Sequence, residues 1–90
     1  MTKAEFEKLK EDLAAQAHTA WAGWMKYLFL KATPCTDGSV NIPAYLVARW
    51  QRQMLTSYAE LPENEKESDR EEARKYLAIL MVDGRRVGGH

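Results

Sequence analysis

The stretch TKAEFEKLKEDLAAQAHTAWAGWMKYLFLK, residues 2–31, decides the fold of this chain. Thr2 and Glu5 have the spacing of a capping box, in which each side chain satisfies the other residue's free backbone N–H. Phe6, Leu9, Leu13, Ala17, Ala20, Trp24 and Leu28 then recur at steps of three and four, which draws one apolar stripe along a helix. Thr33 precedes Pro34 and is pushed out of the helical region, so this long helix ends near Lys31. From His18 to Leu30 nearly every position is apolar or aromatic, and that half is expected to be covered on more than one side.

The rest of the chain follows the same logic. Residues 33–42 form a connection in which Asp37-Gly38 signals a turn, because glycine accepts the positive φ of tight turns. Val40 and Ile42 suit a brief extended stretch. Pro43 fits the first turn of a second helix, over about 43–56, with Asn41 or Ile42 as its cap. Leu46, Val47, Trp50 and Met54 are its expected apolar face. Residues 57–62 make a corner, and a third helix runs over about 62–82. Its acidic start suits the positive end of the helix dipole, and its apolar stripe is Ala73, Tyr76, Leu77, Leu80 and Met81. Gly84 stops it. The expectation is an all-α fold of three main helices (about 2–31, 43–56 and 62–82), in one domain over 1–83, with a flexible tail at 84–90.

Composition excludes more than it assigns. Ninety residues make one small core. Thirteen basic and thirteen acidic side chains cancel, so no overall field draws the chain to nucleic acid or an anionic membrane. No apolar run approaches the roughly 20 residues that span a bilayer, and no signal peptide opens the sequence, so a cytoplasmic location is expected. The single cysteine, Cys35, excludes an internal disulfide, and with two histidines it cannot close a zinc site. Neither a metal nor a cofactor is expected. Arg49 and Arg52 beside Trp50 are too few to neutralise a phosphate backbone. There is no nucleophile–base pair and no glycine-rich phosphate loop between a strand and a helix. The glutamates of residues 63–72 read as a solvated face. An enzyme is the weakest reading.

What remains is an aromatic and polar cluster: His18, Trp21, Trp24 and Tyr27 on the first helix, Trp50 with its two arginines on the second, and Tyr58 at the corner. Three tryptophans exceed what so small a core needs, and their polar ends seek partners. A concave aromatic pocket is expected where the His18–Trp21–Met25 ridge faces Trp50 and Tyr58. Arg52 and Arg70 then stand at its mouth, where a guanidinium can fork onto a phosphate. Asp69 lies four residues before Ala73 and eight before Leu77, on the expected buried stripe, and so needs a donor from Arg52, His18 or an indole.

Two segments carry a resemblance. Residues 13–22, with His18-Thr-Ala-Trp21-Ala22, are similar to the opening His-x-x-Trp-Ala helix of the ryanodine-receptor-type repeat (RyR domain). Residues 58–70 resemble that family's Tyr-x-x-Leu-x-x-x-x-Lys-x-x-Asp-Arg segment through Tyr58, Leu61, Lys66, Asp69 and Arg70. Small phage and prophage proteins share the wording of Arg49 to Met54 and of Glu65 to Arg70. Between the two motifs this chain has Pro34 to Met54, with a helix of its own, in place of the family's Gly-Trp-x-Tyr-Gly stretch. The resemblance implies a compact helical module that binds a nucleotide-derived ligand, in a viral setting a sequestering, anti-defence protein for a host signalling nucleotide. The other reading of the same aromatics is a small helical adaptor or inhibitor that grips a host protein. Because three helices cannot cover residues 21–30 on all sides, a homodimer or higher homo-oligomer is expected.

Overall fold

A computed structural model describes residues 1–81 of the chain, and the expected tail at 84–90 lies outside them. The order of elements is α1 (Lys3–Lys31), β1 (Thr33–Pro34), β2 (Val40–Asn41), α2 (Ala44–Met54), a 3-10 turn at Tyr58–Glu60, and α3 (Glu63–Met81). The fold is all-α apart from the two-residue ladder. Its shortest dimension is only 16 Å, so the helices form a thin plate.

Local sequence accounts for each boundary. The capping box closes as expected: the Thr2 hydroxyl accepts from the Glu5 amide at 3.1 Å, and the Glu5 carboxylate accepts from the Thr2 amide at 2.8 Å. α1 ends at Lys31, ahead of Thr33-Pro34. The connection to α2 is a small hairpin with Thr33 opposite Asn41 and Pro34 opposite Val40. Gly38 turns it at φ 92°, and the Asp37 carboxylate holds the turn by accepting from both the amide and the hydroxyl of Ser39. Pro43 itself, not Asn41 or Ile42, stands at the cap of α2, and no side chain caps that end. The Leu46 and Val47 amides donate to the Pro43 carbonyl region instead.

The helices turn somewhat different faces inward than the periodicity suggests. α1 packs on α3, and the half-buried side of α1 carries Leu9, Asp12, Leu13, Gln16, Ala20 and Tyr27. Phe6 and Trp24, from the expected stripe, are 58% and 49% exposed. In α2 the inward positions are Leu46, Trp50 and Gln53, while Met54 is 74% exposed and Val47 also faces solvent. The reason is angular: on the helix circumference Gln53 lies about 20° to one side of Leu46 and Trp50 about 40° to the other, whereas Met54 lies about 80° away. In α3, Glu72, Tyr76, Ile79 and Leu80 are half-buried, whereas Ala73, Leu77 and Met81 are exposed. Among the described residues, Leu46 alone is buried.

Candidate functional site

The three helices meet around Trp24. α1 brings its indole against α2 and the first two turns of α3, where Trp24, Gln53, Leu61, Asn64, Glu65, Ser68 and Asp69 line a cleft of about 340 Å³. A second groove, of about 280 Å³, runs between α1 and α2 and is lined by Trp24, Met25, Leu28, Trp50 and Gln53. Trp24 and Gln53 belong to both, so the indole stands between a polar cleft and an apolar groove. Its ring meets Tyr27 edge-on at 6.5 Å, and Tyr27 in turn meets Trp50 at 6.5 Å. This chain of edge contacts fixes the aromatic wall.

Glu65 is the most enclosed charge of the cleft, with a side chain 15% exposed. Its Oε2 accepts from Arg52. That bond, from a permanent cation, holds the carboxyl below its usual range, and the nearby Gln53 amide adds to the effect. Oε1 is buried and no hydrogen bond of normal geometry closes on it. An under-satisfied buried acceptor costs about 1–3 kcal/mol, and with no accessible surface it is not itself a contact for a ligand in the cleft. Asp69 lines the same cleft. It is exposed, as are Ala73 and Leu77, so the expected buried stripe does not run through these three residues, and the cleft over Asp69 is open. Its carboxylate is therefore hydrated and needs no structural donor.

The residues expected to form one pocket are divided among several places. His18 and Trp21 stack on each other, 5.7 Å between centroids at 30°, on a part of α1 outside both clefts. Met25 and Trp50 do come together, in the apolar groove. Arg52 is engaged with Glu65. Arg70 donates to Glu63 at 3.1 Å and to Glu67 at 3.4 Å, and Lys66 stands 5.8 Å over the Tyr58 ring. The expected arginine mouth is thus taken up by acids of α3: Arg70 by glutamates three and seven residues before it on the same helix, and Arg52 by Glu65, which the fold brings across to α2. Trp24 belonged to the expected aromatic cluster, whereas Gln53, Asn64, Glu65 and Ser68 are cleft residues that the sequence did not mark.

The fold and the cleft define a small all-α domain with an open aromatic and polar junction. Compared with known protein families, with curated proteins and with solved structures, the chain matches none. Among the described residues, no helix is long and apolar enough to cross a membrane.

Proposed function

We propose that this protein is a non-enzymatic binding module whose junction at Trp24 takes a planar, N–H-bearing heterocycle such as the base of a nucleotide. The observation that carries the reading is a half-exposed indole that shares one cleft with the Glu65 and Asp69 carboxylates. Stacking a base on an aromatic ring is worth about 1–3 kcal/mol, and Glu65 and Asp69 accept from ring or amino N–H groups. Asn64, Ser68 and Gln53 add neutral donors and acceptors that fix orientation. The same acids repel a phosphate, so the base is the part that enters and any phosphate stays outside. The resemblance of residues 58–70 to the RyR-type segment supports a nucleotide-derived ligand on separate grounds.

The test is a melting screen with adenosine, guanosine, cyclic nucleotides, ribose 5-phosphate and inorganic phosphate. At 100-fold excess over Kd a ligand stabilises by about 2.7 kcal/mol, which is roughly 10–20 °C for a domain of this size. Base-bearing compounds are expected to raise the melting temperature, and the two phosphates without a base are not. Asp69→Asn should weaken that effect while leaving the free protein's melt nearly unchanged, since Asp69 is exposed. Arg70→Ala should leave binding intact. If no base-bearing compound shifts the melt at millimolar concentration, the ligand reading fails. The aromatic surface then belongs to a protein partner, a reading to which the exposed His18–Trp21 pair already lends itself.

A further inference from the structure

The chain exposes 7017 Å², where a globular monomer of 10.3 kDa exposes about 5,400 Å². Its radius of gyration is 17.6 Å, against about 12 Å for a compact domain of this length. The excess surface, roughly 1,600 Å², is more than the ~800 Å² that each partner gives to a stable interface. The groove of about 280 Å³ between α1 and α2 is part of that uncovered surface, and none of the residues lining it is charged. One turn to either side of its Trp50 stand Val47 and Met54, 37% and 74% exposed. At 100° per residue these two lie about 20° apart on α2, and about 140–160° around it from Arg49 and Arg52. Both cations are engaged elsewhere, Arg52 with Glu65 of α3 and Arg49 over the Tyr45 ring. An apolar hollow and an apolar ridge therefore adjoin on one uncharged surface. The exposed side of α3, by contrast, is laced with Arg70–Glu63, Arg74–Glu67 and Arg74–Glu71 pairs.

We infer that a second copy of this chain covers the groove, the two α2 helices running antiparallel about a two-fold axis between Trp50 and Gln51. In that register Val47 of each copy lies opposite Met54 of the other, and each Met54 enters the other copy's groove. A two-fold contact uses the same patch twice, so a hollow beside a ridge on one helix is filled and fills in the same step. Methionine suits the role: its unbranched thioether adapts to an irregular gap, and its sulfur is favoured against aromatic rings, here Trp24 and Trp50. A charged side chain entering the groove would lose its water with no partner to meet, so the occupant has to be uncharged. The ridge of a second copy meets that condition, and a net charge of zero sets no field against self-association. Leu55 lies about 90° around α2 from the ridge and stays in water. The polar cleft on the other side of the Trp24 indole is left open.

The test uses the full chain and no ligand, so its outcome does not depend on what the polar cleft binds. Sedimentation at about 100 µM is expected to show a species of about twice 10.3 kDa. Met54→Asp is expected to return it to a single chain, and Leu55→Lys is expected to leave it paired. With Cys35→Ser to remove the native thiol, the double variant Val47→Cys/Met54→Cys is expected to cross-link two chains on mild oxidation. Neither cysteine alone is, because the two-fold axis sets residue 47 opposite residue 54 and not opposite itself. Within one helix the same two positions are about 10 Å apart, beyond disulfide reach. A single species of 10.3 kDa at about 100 µM would overturn the inference and leave the groove to another protein. A dimer that persists in Met54→Asp and dissociates in Leu55→Lys would overturn the face. Cross-linking through one cysteine alone, as strong as through both, would overturn the register. The cross-links are read on small changes at exposed positions, so they decide the matter even if Met54→Asp impairs folding.

Discussion

Leu46→Ala tests the packing of α2 most directly. Leu46 is fully buried, and the residues one and two turns further on, Trp50 and Gln53, face the same way. Trp50 reaches the Tyr27 ring of α1, so this side of α2 is its attachment to the plate. Truncating a fully buried leucine removes its transfer free energy and leaves a cavity, together about 2–5 kcal/mol. A 90-residue domain has on the order of 4–13 kcal/mol to begin with. A loss of about 3 kcal/mol therefore lowers the melting temperature by roughly 12–24 °C, read by circular dichroism at 222 nm. The control is Leu55→Ala: Leu55 is 81% exposed, and a change there should stay within about 0.5 kcal/mol. If Leu46→Ala melts within about 4 °C of the parent, Leu46 is not an anchor and the placement of α2 on the plate is wrong.

Gly38 sits at φ 92° with open space where a Cβ would go, so Gly38→Ala pays only in backbone strain, about 1–2 kcal/mol. Gly38→Asn should be milder, and equal melting of Gly38→Ala and parent would refute the strained turn. Glu63, Glu65 and Glu67 all titrate below the ordinary glutamate value of 4.5, because Arg70, Arg52 and Arg74 respectively donate to them. The folded state thus holds these protons less tightly than the unfolded chain. Stability is full above pH 4.5 and is lost as pH falls through the lowered native values. Urea midpoints should be level near neutrality and decline below about pH 4.5, and less steeply in Arg52→Ala. A midpoint that stays level down to pH 3 would contradict those pairs.

The helices of this protein are written locally. The Thr2–Glu5 box, the Thr33-Pro34 stop, the Asp37-Gly38 turn and the acid-rich start of α3 each act within a few residues. Such signals are legible from sequence because their partners are neighbours in the chain. Asp37 and Ser39 close the hairpin turn by the same short-range bonding.

Which faces meet, and how completely, was decided only by tertiary structure. Periodicity names an apolar arc but not its partner. Met54 and Gln53 are adjacent positions, and only docking on α1 determined that the amide turns inward and the thioether turns out. The arginines likewise could not be assigned from sequence. Arg52 has no local acid, yet the fold brings Glu65, thirteen residues on, to its guanidinium. Asp69 was expected to be buried and is wet because the helices diverge around Trp24 and leave a cleft. Burial is a property of the gap between elements, and that gap is set by how three faces share space, which no single stretch of sequence encodes.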